Sequence, residues 1–194
     1  MKDAILATAA KRFARYGFYK TTIEDIASDL KKVKSAVYYY FENKEEIFKA
    51  VLQKELEELS AGIRKRVDET EKPGDKLKTF IKAHLDAFAK ITKGFSTIKE
   101  IYLKEHDFVG AVRKNYDDRS RSYIEDIIKE GNRRGEFCVK ETRKTAFAVL
   151  TVIRGAEYEL AAKEKPSAVG QITGILAGML VDGLCGKRSG GKKQ

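Results

Sequence analysis

The strongest constraint on this chain is the crowding of three short helical segments into its first 41 residues. Over residues 4–16, Leu6, Ala9, Ala10 and Phe13 fall on one face at helical spacing, and Gly17 follows where a helix commonly ends in left-handed backbone. Thr21-Thr22 opens the second segment. Thr22 is its expected N-cap, with Asp25 three residues on to complete a capping-box-like pair. Ile23, Ile26, Ala27 and Leu30 form its apolar stripe. A polar break, Lys31-Lys32-Val33-Lys34, separates it from the third segment, SAVYYYF. Asn43 then caps a long fourth helix with Glu46 in its first turn, and Ile47, Phe48, Val51, Leu52, Leu56, Leu59 and Ile63 repeat along it.

The rest of the chain keeps helical periodicity. Lys72-Pro73-Gly74-Asp75 ends the fourth helix and starts a fifth, whose face is Leu77, Phe80, Ile81, His84, Leu85, Phe88 and Ile91. Further helices are expected near 96–103, 110–131 with Tyr116, Tyr123, Ile124 and Ile127 inward, and 142–163. Ser167 is placed to cap a last helix ending near Gly186. No run alternates with the period of a strand, and only two prolines occur in 194 residues, so the expected fold is all-α with about nine helices. The tail KRSGGKKQ is basic and Gly-rich, the composition of a disordered end.

Two short helices about a tight polar turn form the layout of a helix-turn-helix, whose second helix enters the DNA major groove. The third segment has suitable chemistry. Lysines attract phosphate irrespective of sequence, tyrosine hydroxyls can donate to phosphate oxygens, and free N–H groups at Asn43-Lys44 can bind another phosphate. A formal net charge of +10 agrees with a polyanionic partner, nucleic acid ahead of membrane.

The run GFYKTTIEDIASDL…AVYYYFENKEEIF resembles the DNA-binding domain of the tetracycline-repressor (TetR) family, over residues 3 to about 52. The turn RRGEF and the helix after it resemble the family's C-terminal half. The chain departs from the family in the turn, where Lys31-Lys32-Val33 stands for a Gly-Val-Ser-like tripeptide: Lys31 occupies the glycine position and Val33 the cap hydroxyl. The resemblance implies that Thr22 and Lys44 hold phosphates, that Lys34, Ser35 and Ala36 lie nearest the bases, and that Tyr38, Tyr39 and Tyr40 contact phosphate, sugar or base. Val37 and Phe41 read as core. Three successive helical positions span about 200°, so at least one tyrosine is expected to be core, with Tyr38 the first candidate for partial burial. Lys31 and Lys32 read equally as DNA contacts or as solvated charges.

This divides the chain into a DNA-binding domain (1–48), a helical ligand-binding and dimerisation domain (49–186) and a basic tail (187–194). The aromatic middle helices suggest a core enclosing an apolar cavity with a few polar anchors. The candidate lining is Phe80, His84, Phe88, Tyr102, Tyr123, Phe147, Thr151, Arg154 and Tyr158, with His84 and Arg154 either ligand anchors or satisfied core residues. An inward Arg154 needs a carboxylate partner, Glu100 or Asp107 in the free protein, for which an acidic-headed effector could substitute. The helix from Thr142 has one face of Phe147, Leu150, Thr151, Arg154 and Tyr158 and another of Ala146, Val149, Ile153 and Leu160, the pattern of a helix between two layers. Gly170, Gly174 and Gly178 recur every four residues beside Ala177. Close packing on a helix of the same chain or of a partner would explain the stripe. The resemblance implies the partner, through a two-fold four-helix bundle of the last two helices, and a near-palindromic operator read by a homodimer.

Cys138 and Cys185 lack CxxC spacing, and the charged N-terminus lacks a signal-peptide core, so a cytoplasmic protein without cofactor or metal is expected. The most apolar stretch, 172–181, is too short to span a bilayer. Two other classes compete. A helical metal-dependent or hydrolytic enzyme would have to use His84, His106 and Asp107, and no HExxH, GxSxG or P-loop is present. A sequence-neutral DNA binder would suit the charge but has no use for an aromatic-rich second half. The expectation is a regulator and not an enzyme, in particular a repressor released from its operator by a small apolar or amphipathic effector.

Overall fold

The computed structural model describes residues 1–94, 107–162 and 169–185, and among these every named element is a helix. They are α1 (Lys2–Tyr16), α2 (Ile23–Asp29), α3 (Lys34–Tyr38), α4 (Lys44–Asp68), α5 (Pro73–Gly94), α6 (Asp107–Arg133), α7 (Thr142–Ala162) and α8 (Val169–Leu184). The expected helix near 96–103, the cap at Ser167 and the tail lie outside the described residues.

The side chains read as helix starts behave as such. Thr22 Oγ1 accepts from the Asp25 N–H at 3.1 Å and Asp25 Oδ2 accepts from the Thr22 N–H at 2.9 Å, a reciprocal capping box. Asn43 Oδ1 accepts from the Glu46 N–H at 2.8 Å, and Glu46 accepts from the Glu42 N–H at 3.0 Å. Between α2 and α3 the backbone closes a Schellman turn, with the Lys32 N–H on the Ala27 carbonyl (2.9 Å) and the Lys31 N–H on the Ser28 carbonyl (2.9 Å). Lys31 carries the left-handed conformation this turn requires, φ 53°, and is the one non-glycine with positive φ among the described residues. Left-handed backbone costs an L-residue about 1–2 kcal/mol. Lys31→Gly is therefore expected to stabilise the fold by about 1 kcal/mol, read as a higher midpoint of thermal unfolding. A lower midpoint would show that the lysine side chain holds the turn.

Two apolar clusters are strung on α4. The first joins α1, α2, α3 and the start of α4, with Phe48 edge to face on Phe13 and Phe18 at ring separations of 5.2 and 5.1 Å and the latter two tilted at 5.8 Å. It runs past residue 48 to Val51 and Leu52, and Val109 and Val112 of α6 also join it. The second contains Ile63 and Val67 of α4 together with the apolar stripes of α5, α6, α7 and α8. Thus α4 and α6 each belong to both clusters.

One turn ties the second cluster together. Gly135, at φ 70°, folds the chain back so that the Glu136 and Phe137 N–H groups reach the Gly131 carbonyl, at 2.9 and 3.1 Å. Phe137 is buried against Gly131. Glu136 accepts from the Gly74 N–H at the start of α5 (2.9 Å), and the Cys138 N–H donates to the Leu184 carbonyl at the end of α8 (2.9 Å). Both cysteines are free and exposed.

Candidate nucleic-acid interface and inward polar cluster

α3 presents two contrasting sides. Val37 and Phe41 are buried in the first cluster, while Lys34 and Ser35 are exposed and Ala36 is half-buried. Tyr38, Tyr39 and Tyr40 are 44%, 82% and 39% exposed, so none of the three is core. This corrects the expectation that at least one would be core. The wheel argument assumed a helix through residue 41, whereas α3 has five residues and stops at Tyr38. Beyond it the chain bends, Tyr39 and Tyr40 meet edge to face at 4.9 Å, and Phe41 alone turns inward.

The cations around α3 are held by the protein. Lys34 Nζ lies against the Glu24 carboxylate and 5.3 Å from the Tyr38 ring. This contact holds the Glu24 carboxyl below its usual range. Lys44 Nζ donates to the Phe18 carbonyl at 2.8 Å and sits 4.4 Å from the Phe18 ring centre. Its ammonium therefore fastens the α1–α2 loop, leaving the N-terminal backbone of α4 and the Thr22 end of α2 as the flanking phosphate positions. Arg12 clamps α1 to α2 through Asp29 (2.5 and 2.8 Å) and Asp25 (3.3 Å). Hydrogen bonds from Arg12 lower the Asp29 carboxyl, and those within the capping box lower Asp25. Carboxyls lowered in the fold stabilise it above their unfolded range and lose that contribution as pH falls from there through their lower, folded range.

Glu24 is the acid nearest the reading helix and competes with phosphate for Lys34. Glu24→Gln should strengthen DNA binding about two- to fivefold at low salt and steepen its salt dependence by about one released counterion. Titrations at several salt concentrations measure both. An unchanged affinity and slope would mean that Lys34 stays off the backbone in the complex.

Inside the second cluster lies a polar chain. His84 is buried, with Nε2 2.7 Å from Glu157 Oε1, and the Tyr116 hydroxyl is 3.3 Å from Nδ1. The tautomer with its proton on Nε2 donates to Glu157 and accepts from Tyr116. Burial first, and then the Glu157 charge, push the Tyr116 hydroxyl well up. Arg113 lies 3.8 Å from the other Glu157 oxygen. Next to this chain Arg154 bonds Asp117 at 2.8 Å, tying α7 to α6, and burial raises the Asp117 carboxyl despite that partner. Between α4 and α6 a cavity of about 220 Å³ is lined by Gln53, Leu56, Glu57, Ser60, Asn115 and Arg119, with Tyr116, and Glu57 lies 3.9 Å from Arg119. A smaller one adjoins it at Arg64, Phe80 and Tyr123.

Residues 5–51 match the family model for bacterial regulatory proteins of the tetR family. The chain is 26% identical over 188 residues to the HTH-type transcriptional regulator YhgD of Bacillus subtilis, covering 94% of this chain and 96% of that one. Its N-terminal segment, residues 5–51, is that of the tetR family of bacterial regulatory proteins, and over its whole length the chain is similar to an HTH-type transcriptional regulator. It is also 32% identical over 110 residues to a probable acrEF/envCD operon repressor of Escherichia coli, 53% of this chain and 47% of that one. In fold, the chain superposes on the Bacillus subtilis regulator FadR, solved with stearoyl-CoA, with a TM-score of 0.72 at 17% identity over 95% of this chain and 100% of the other.

The expected ligand lining divides in this regulator. Phe80, His84 and Phe88 are buried and Tyr123 is half-buried, with the Phe80 ring 5.7 Å from His84 and 5.8 Å from Tyr123. The Tyr123 hydroxyl donates to Asp68 at 3.2 Å; burial, with Asp68 beside it, pushes it up to about 12. Phe147, Thr151 and Tyr158 are corrected: they point outward, because Ala146, Val149, Leu150, Ile153, Glu157 and Leu160 are the inward face of α7. Arg154 is half-buried and bonds Asp117, while Glu100 and the Asp107 side chain lie outside the described residues. Tyr102, Glu100 and His106 lie outside the described residues. Among the described residues no group of three metal-ligating side chains converges, and no helix is long and apolar enough to cross a membrane.

On α8, Ala177 is buried in the chain's own second cluster, which corrects its expected place in an interface. Gly174 and Gly178 do the opposite: among the described residues a Cβ on either would meet nothing within 4 Å, so no described helix of the same chain explains them. Gly170 lies in the first turn of α8, and its surroundings fall outside the described residues. Ile175 and Met179 are exposed beside these glycines, as Phe147 and Tyr158 are on α7. Sequence reading missed Glu157, although it stands four residues after Ile153 and seven after Leu150, at the spacing of the inward stripe. Arg113 carried no comparable signal.

Proposed function

We propose that this chain is a homodimeric repressor that reads a near-palindromic operator through α3 and releases it when a small amphipathic effector binds between α4 and α6. The observation that carries the reading is α3 itself: an inward side locked by Val37 and Phe41, and an outward side of lysine, serine and tyrosine. Thr22, Lys34, Ser35, Ala36, the three tyrosines and the Lys44 backbone supply the contacts, with domain limits at 1–48 and 49–186. The outward apolar face of α7 and α8 supports pairing with a second copy, since an exposed Phe147, Tyr158, Ile175 and Met179 is otherwise unfavourable. A two-fold protein then reads two-fold DNA.

The effector reading rests on position. Helices α4 and α6 line the cavity, and both also pack into the first cluster. A molecule wedged between them bears on the domain that carries α3. Tyr116, Phe80 and Tyr123 offer an aromatic floor, and Arg64 and Arg119 offer cations to an acidic head. The fatty-acyl thioester in the similar FadR structure supports the same class, here of short chain for a cavity this small. A tenfold loss of operator affinity requires only about 1.4 kcal/mol of preference for the non-binding state. Short-chain acyl thioesters and aromatic acids should raise the thermal midpoint and release a selected operator, and Arg119→Met should weaken both effects. Ligands that bind without moving operator affinity would contradict the switch.

A further inference from the structure

We infer that Val33 reads the 5-methyl group of a thymine in each operator half-site. The inference rests on the proposed operator reading and assigns a base-specific contact within it. Val33 is the N-cap of α3, a position that favours Ser, Thr, Asp or Asn and ranks valine among the poorest residues. The flanking helices are capped in the favoured way, by Thr22 and Asn43. Val33 makes no side-chain cap bond. Nor does it pack: it is 70% exposed, whereas Val37, one turn on, is buried. An apolar, β-branched side chain is thus displayed where neither helix formation nor the core uses it.

Its surroundings identify the group it would meet. The N-terminal end of a recognition helix is the part that approaches base edges. Lys31, Lys32 and Lys34 surround Val33 in sequence and suit the phosphates on either side. Apart from its lysines, which suit phosphates and guanine, the segment 31–41 contains no Arg, Asn, Gln, Asp or Glu, the other side chains of the usual base-edge pairings with guanine, adenine and cytosine. Besides the lysines, what remains is hydroxyl and apolar contact. The thymine methyl is the apolar group that a base pair shows in the major groove, and it matches two exposed valine methyls.

The test starts from an operator selected by the wild-type protein out of random duplexes. Each thymine is replaced in turn by deoxyuridine, which removes only the methyl. One thymine per half-site should cost the wild type about fourfold in affinity on replacement, and nothing in Val33→Ala. Val33→Ser restores a capping hydroxyl. It should keep or raise the thermal midpoint while also losing deoxyuridine sensitivity, which separates base reading from folding. The inference is overturned if no replacement weakens the wild type, if the half-sites share no thymine, or if the loss persists in Val33→Ala. Failure to select any preferred sequence would overturn the operator reading itself.

Discussion

Ile175→Asp with Met179→Asp should convert the protein to monomers and lower its operator affinity by about 10²- to 10⁴-fold. Both side chains are exposed on the chain itself, so the charges enter no core of the single subunit. In a dimer they would lie in the buried face, where an unpaired charge is costly. Operator affinity then falls steeply because two half-site contacts no longer act together, and linked binding exceeds single-site binding by about 10²–10⁴ without any new contact. Sedimentation at micromolar concentration and operator titration read the two effects. A wild-type monomer, or a variant that remains dimeric with unchanged affinity, would contradict the assignment of this face. Gly174→Leu belongs to the same test, since a Cβ there meets none of the described residues of its own chain.

Gly131→Ala should cost about 3 kcal/mol or more, against the roughly 1 kcal/mol that alanine ordinarily gains over glycine in a helix. A Cβ at this position would overlap the buried Phe137 ring. The ring would have to leave, and with it the turn whose neighbours hold the start of α5 and the end of α8. Against a total stability of about 5–15 kcal/mol this is a large fraction. Denaturant unfolding should show a clear fall in midpoint. Phe137→Ala combined with Gly131→Ala should lose less than the two single changes summed, because the collision is gone. An unchanged midpoint in Gly131→Ala would mean that Phe137 does not hold the turn.

The parts of the fold that were legible in the sequence are those set by local chemistry. Thr22 with Asp25, and Asn43 with Glu46, satisfy helix N–H groups within a few residues, so their spacing carries the information. The left-handed turn at Lys31 was not legible from the residues, since nothing local in Lys31-Lys32-Val33 signals it; only the family resemblance put Lys31 at a glycine position. The tyrosines were misjudged because the length of α3 is set by how Val37 and Phe41 dock, a tertiary matter that periodicity cannot register. The faces of α7 were legible as two stripes but not as inner and outer, since Phe147 and Tyr158 are as apolar as the residues that turn inward. Arg154 and Asp117 meet only through the packing of α7 on α6, and nothing in the chain's order signals that pair.

The central claim is that a two-fold dimer reads DNA through the α3 segment, and footprinting on a selected operator tests it most directly. The account predicts two symmetric patches of major-groove protection, centred about one helical turn (10–10.5 base pairs) or a multiple apart. Both patches should vanish in Lys34→Ala/Tyr39→Ala, a change at exposed positions that leaves the fold intact. Uniform protection without sequence preference, or paired patches that persist in that variant, would contradict it.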